Sequence, residues 1–214
     1  MTKTQLRGLY AITPDAPLPL ATLVDQVGAA IAGGARLIQY RDKTHPPDER
    51  HRYATALLAC CRAAGVPLII NDDLELAAVL GADGVHLGRD DPDPRLARKR
   101  LGESAIIGVS CYDQLALAEA AQAAGASYVA FGSFFPSPTK PNAVRPAPDL
   151  LTAARGRVAL PLVAIGGITP HNGRSLITAG ADMLAVVTGV FAQPDITAAA
   201  CAYTNLFSEG DPLR

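Results

Sequence analysis

The stretch LIINDDLELAAVLGADGVHL, residues 68–87, contains one complete structural unit. It opens on a short apolar run, Leu68 to Ile70, with the character of a strand buried on both faces. Asn71-Asp72-Asp73 then leads into a helix beginning at Leu74, Gly81-Ala82 stops that helix, and a second apolar run starts at Gly84. Strand, helix, glycine stop and strand form the βα unit of a parallel sheet. The pattern recurs along the whole chain. Short β-rich runs fall at residues 8–12, 37–40, 68–70, 84–87, 105–109, 128–131, 162–165 and 184–187. Stretches with helical spacing lie between them, for example at residues 20–32, 48–64, 114–124 and 171–179. The pairs Gly34-Ala35, Gly81-Ala82, Gly125-Ala126 and Gly180-Ala181 read as internal repeats, each stopping a helix just before the next strand. Eight such units predict a (β/α)8 TIM barrel, a single domain over residues 1–214 and short beside the usual length of about 250. A doubly wound open sheet is the alternative. The first turn lacks a G-x-G-x-x-G fingerprint and Gly166-Gly167 follows the seventh strand, and both features favour the barrel.

With 49% apolar residues the 214-residue chain can bury one large core, and a net charge of −1 with dispersed Lys and Arg offers no polyanion-binding face. Nucleic acid is therefore not an expected partner. Cys60, Cys61, Cys111 and Cys201 contain no C-x-x-C pair, so they read as reduced thiols and not as a zinc site or disulfide framework. The amino terminus shows no signal-peptide core, and no apolar run approaches the roughly 18 residues a membrane span requires. A cytoplasmic location is expected, and a homo-oligomer is compatible with the sequence.

In a parallel barrel, ligands bind beyond the carboxyl ends of the strands, so charges just past each strand converge on one mouth. Gln39-Tyr40-Arg41-Asp42-Lys43 emerges from the second strand, and alternation puts Gln39, Arg41 and Lys43 on one face. A guanidinium fork beside a mobile ammonium suits a diphosphate. Asn71, Asp72 and Asp73 follow the third strand, where one carboxylate can cap the helix while its neighbour joins a magnesium ion. Asp90-Asp91 after the fourth strand offers a second carboxylate; one of this pair could instead cap a helix starting near Pro92. His86, within its strand, reads as a hydrogen-bonded core residue. The proline-rich loop 132–147 carries Ser137, Pro138, Thr139 and Lys140 and reads as a stiff cover over the mouth. Backbone amides near Gly167 and near Val187-Thr188, after strands seven and eight, suit a phosphate.

GLYAIT, QYRDK, IINDD, GVHLG, IIGVS, YVAFG with FFPSPTKP, VAIGGIT and AVVTGVF occur in order from residue 8 to residue 191, and together they closely resemble the thiamine-phosphate synthase family. The resemblance implies a transferase of a pyrimidinylmethyl group. It would join 4-amino-2-methyl-5-hydroxymethylpyrimidine diphosphate to 4-methyl-5-(2-phosphoethyl)thiazole and use Mg2+. Carried over by position, it implies that Gln39, Tyr40, Arg41, Asp42, Lys43, Asn71, Ser110 and Lys140 bind the pyrimidine diphosphate, with Arg41, Lys43, Ser110 and Lys140 in catalysis. It implies Ser137, Pro138, Thr139, Gly167, Val187 and Thr188 for the thiazole phosphate, and Asp72 with Asp91 for the metal. Three positions depart from the family pattern: Arg89 replaces a usual glutamine, Tyr112 a frequent histidine, and Ser137 a frequent threonine. A related thiazole tautomerase would carry histidine where Ser133 stands, and the complete diphosphate set argues against it, as it does against a non-enzymatic thiamine-phosphate sensor.

Overall fold

In the computed structural model, residues 6–136 and 146–208 are described. Eight parallel strands pair in chain order: β1 (Gly8–Ile12), β2 (Leu37–Tyr40), β3 (Leu68–Asn71), β4 (Gly84–Leu87), β5 (Ile106–Tyr112), β6 (Tyr128–Gly132), β7 (Leu162–Ile165) and β8 (Met183–Val186). β8 returns to β1, so the sheet closes into a (β/α)8 barrel and the open-sheet alternative falls away. Helices α1 (Leu20–Ala32), α2 (Pro47–Ala63), α3 (Leu74–Leu80), α4 (Pro94–Leu101), α5 (Leu115–Ala123), α6 (Asp149–Arg155) and α7 (Gly173–Thr178) each follow one strand, and α8 (Thr188–Phe191) and α9 (Ile196–Thr204) follow β8. Among the described residues no helix is long and apolar enough to cross a membrane.

Alternation along each strand sorts side chains into two cores. Tyr10, Leu37, Ile69, Tyr128, Val163 and Met183 fill the barrel interior. Leu9, Ile38, Ile70, Val129 and Leu184 point outward and pack with helix residues such as Val27, Leu57 and Leu151.

The repeat seen in the sequence has a common geometry at the base of the barrel. In each Gly-Ala pair the glycine takes a positive φ, and the alanine N–H reaches back five residues: Ala35 to Ala30, Ala82 to Ala77, Ala126 to Ala121 and Ala181 to Leu176. These are Schellman closures, which satisfy carbonyls that the helix end would otherwise leave unpaired. An arginine on the preceding helix then donates to the glycine carbonyl, Arg62 to Gly81 at 2.7 Å, Arg98 to Gly125 at 2.9 Å and Arg155 to Gly180 at 2.5 Å. Asp83, Ser127 and Asp182, each the next residue after a pair, accept the N–H of Leu68, Ile107 and Leu162 at 2.9, 3.0 and 2.8 Å. The fold is thus a repeated clamp at its base, which leaves the opposite rim free to vary.

Several expected boundaries shift by a few residues at most, and two shifts have a visible local feature. β5 runs on to Tyr112 through an irregularity between Ser110 and Tyr112, with Tyr112 at φ 55°. The helix expected near Pro92 begins at Pro94, because Asp93 is its cap and accepts the Arg95 N–H at 2.7 Å.

Candidate active site

The β2 strand delivers its side chains as alternation requires. Gln39 turns inward, where its Nε2 donates to Tyr10 Oη, while Tyr40 belongs to the outer core. The Tyr40 hydroxyl donates to Asp42 Oδ2 at 2.6 Å, and Asp42 also accepts the backbone N–H groups of Thr44 (2.9 Å) and His45 (3.0 Å). Burial works to raise the Asp42 pKa, but these hydrogen bonds outweigh it and hold the carboxyl well below the usual carboxylate range. The side chains of Tyr40 and Asp42, expected among the substrate contacts, are therefore committed to ordering the loop that carries Arg41 and Lys43.

A second clasp on that loop comes from the end of β1. Buried Thr13 exchanges hydrogen bonds with the Arg41 backbone, donating to its carbonyl at 3.1 Å and accepting its N–H at 2.9 Å. Asp15 pairs with the Arg41 guanidinium at 2.5 Å and accepts the Lys43 N–H at 2.7 Å. Sequence reasoning missed both residues; only the placement of Thr13 and Asp15 just past a strand signalled them.

Lys43 reaches across to pair with Asp72, which joins the cationic loop to the carboxylates. Asp72 adopts a left-handed backbone, φ 63°, which aspartate enters more readily than most non-glycine residues. Asp73 caps α3, accepting the Leu76 N–H at 2.9 Å, which is the capping half of the division expected of this pair and leaves the Asp72 carboxylate clear of the helix end. Asp91 accepts the Gly88 N–H at 2.6 Å and its carboxyl adjoins that of Asp72, whereas Asp90 is exposed. Burial works to raise Asp72, but Lys43 and the Asp91 contact prevail and lower it; Asp91 is raised, by burial and by the neighbouring Asp72 charge. Among the described residues no group of three or more His, Cys, Asp or Glu is arranged as a metal cage. Two adjoining carboxylates on an open mouth fit magnesium, which commonly takes one or two carboxylates and completes its shell with substrate phosphate and water.

Beneath the charges, Ser110 Oγ lies 2.9 Å from His86 Nε2, and His86 Nδ1 lies 2.8 Å from Tyr128 Oη. His86 is hydrogen-bonded, as expected. At the far rim, the positive-φ turn Gly166-Gly167 lets the chain after β6 pass so closely that a Cβ on Gly167 would fall 2.3 Å from the Pro136 carbonyl oxygen. Asn172 fastens this turn, accepting the Thr169 N–H at 2.8 Å and donating to the Gly167 carbonyl at 3.1 Å. Val187 and Thr188 follow β8, the strand next to β7, at the start of α8. Ser137, Pro138, Thr139 and Lys140 lie outside the described residues.

The family model for thiamine monophosphate synthase matches residues 9–190. The chain belongs to this family. Thiamine-phosphate synthase from Thiobacillus denitrificans is 54% identical over 201 residues, covering 94% of this chain and 95% of that protein. The Thioalkalivibrio sulfidiphilus thiamine-phosphate synthase is 51% identical over 209 residues, covering 97% of this chain and 99% of its own. Among solved structures, thiamine phosphate pyrophosphorylase from Pyrococcus furiosus superposes with a TM-score of 0.85 at 31% identity, covering 96% of this chain and 98% of that one. 3-Hexulose-6-phosphate synthase, at 18% identity and a TM-score of 0.68, shares the fold alone.

Arg89 and Tyr112, two of the three departures noted in the sequence, touch each other. The Arg89 guanidinium carbon lies 4.8 Å from the centre of the Tyr112 ring, a cation–π contact. The pair borders a cleft that runs outward past Gly88, Ser110 and Leu117. Sequence reasoning also overlooked Asn172, a polar side chain two residues beyond Pro170 whose signal was only its loop position.

Proposed function

We propose that this chain condenses 4-amino-2-methyl-5-hydroxymethylpyrimidine diphosphate with 4-methyl-5-(2-phosphoethyl)thiazole, or its carboxylated form, giving thiamine phosphate and diphosphate in the cytoplasm. The observation that carries the reading is the meeting of Arg41, Lys43, Asp72 and Asp91, from the ends of three successive strands, at one mouth. Arg41 and Lys43 grip the diphosphate, exchanging their carboxylate partners for phosphate oxygens. Asp72 and Asp91 would hold Mg2+, which when bound would supply charge neutralisation on the leaving group. Asn71, Gln39 and Ser110 orient the pyrimidine. Lys140 assists at the leaving group, Ser137, Pro138 and Thr139 meet the second substrate, and amides near Gly167, Val187 and Thr188 take its phosphate.

The bond from the pyrimidine methylene to diphosphate breaks first, because an electron-rich aminopyrimidine supports the resulting cation. Fixed positive charge on Arg41 and Lys43 lowers the barrier as negative charge grows on the departing group, and no protein nucleophile is needed. The thiazole nitrogen then attacks; it carries no proton, so no general base is assigned. Exclusion of water by the two bound substrates keeps the cation for the thiazole. Purified protein given both substrates should release diphosphate and form thiamine phosphate. Absence of product with retained binding of the thiazole phosphate would move the assignment to a tautomerase or a sensor.

A further inference from the structure

We propose that the hydrogen-bonded chain Gln39–Tyr10–Tyr128–His86–Ser110, which crosses the barrel floor, is a positioning relay that makes Gln39 an acceptor and Ser110 a donor toward the pyrimidine. The inference rests on the functional reading above and adds three residues to it, Tyr10, Tyr128 and His86, none of which enters the chemistry itself.

Each link has one direction once the first is set. Gln39 Nε2 donates to Tyr10 Oη, so the only proton of Tyr10 goes to Tyr128 Oη, 2.8 Å away. Tyr128 then gives its proton to His86 Nδ1 at 2.8 Å, which leaves the imidazole N–H on Nε2, pointed at Ser110 Oγ at 2.9 Å. Ser110 accepts, and its own proton is left for a ligand. At the other end the bond from one Gln39 N–H to Tyr10 fixes the orientation of the amide and leaves Oε1, on its opposite branch, to accept. An aminopyrimidine carries an exocyclic N–H donor beside ring nitrogen acceptors, so one donor and one acceptor match it.

The chain is built with care that packing alone does not need. Tyr10 and Tyr128 are fully buried, and apolar residues would fill the same space without two hydroxyls to satisfy. Burial pushes both phenols above their ordinary pKa, so both keep the proton the relay passes along. Gly108 on β5 has no side chain where a Cβ would stand 2.0 Å from the Tyr128 ring. Tyr128 is also held edge-on to Tyr10 and stacked on His86, with ring centres 5.9 and 5.7 Å apart. A ring fixed from three sides has one place for its hydroxyl.

Two measurements test the relay. Nitrogen NMR of the full-length wild-type protein, with the His86 signals assigned through a His86→Gln variant, should show a neutral ring protonated at Nε2; protonation at Nδ1 instead would overturn the proposed polarity. This readout needs no turnover, so it stands even if the functional reading fails, and an inactive wild type would count against that reading alone. In steady-state kinetics, Tyr10→Phe and Tyr128→Phe should each raise KM for the pyrimidine diphosphate about five- to tenfold and leave KM for the thiazole phosphate within about twofold. The double variant should be no worse than the worse single one, because both break the same chain. Multiplied effects in the double variant, or equal changes in both KM values, would reduce the chain to core packing and overturn the proposal.

Discussion

Without a cation between them, Asp72 and Asp91 repel when both are ionised, and the fold resolves this by lowering one and raising the other. The signs of their contributions to stability follow. Asp72 stabilises the fold above its unfolded pKa of about 3.9, and that contribution is lost as pH falls through the lowered folded value. Asp91 does the reverse: its contribution is present below about 3.9 and lost as pH rises through the raised value. In chelator at neutral pH, Asp91→Asn should therefore raise Tm, by about 1–3 °C, while Asp72→Asn lowers it; thermal melts across pH check both. Each variant should lose about 100-fold or more in turnover, as should Arg41→Ala, for the loss of charge opposite the leaving group. Asn172→Ala should instead raise KM for the thiazole phosphate several-fold, since it frees the Gly166-Gly167 turn, where both of its side-chain hydrogen bonds among the described residues lie.

At the scale of elements, the Gly-Ala stops separate two costs of replacing glycine. Gly81 has φ 60°, and a Cβ there would meet nothing nearer than 3.9 Å, so Gly81→Ala should cost only the left-handed backbone, about 1 kcal/mol by denaturant titration. Gly34→Ala should cost more, because its Cβ would also fall 2.8 Å from the Thr204 side chain. These elements were legible in the sequence because their signals are local: buried apolar runs make strands, and glycine makes the positive-φ stop. The caps were less legible. Asp90, Asp91 and Asp93 are equivalent as residue types, and only the path of the loop turns Asp91 toward Asp72 and leaves Asp93 to cap α4. The clasp of Thr13 and Asp15 on the Arg41 loop joins residues 28 apart in sequence, and no local pattern signals such a pairing.

Across the whole molecule, the base clamps and the mouth divide stability from activity, as the barrel architecture allows. Arg155 donates to the Leu160 and Gly180 carbonyls and pairs with Asp182, all at the base. Arg155→Ala should lower Tm by about 3–8 °C and leave kcat/KM within about twofold, whereas Arg41→Ala should do the opposite. The barrel was readable before any coordinates because it is eight repeats of one unit. The charges at its mouth were readable because each follows a strand. The polar chain beneath them was not, since Tyr10, Tyr128 and His86 look like ordinary strand residues until the sheet closes. The most direct test is the initial rate of thiamine phosphate formation against magnesium concentration, for the wild type and Asp72→Ala. A rate that rises with magnesium to saturation and collapses in the variant is expected; a magnesium-independent rate, or a variant as active as the wild type, would contradict the assignment of this mouth as the catalytic site.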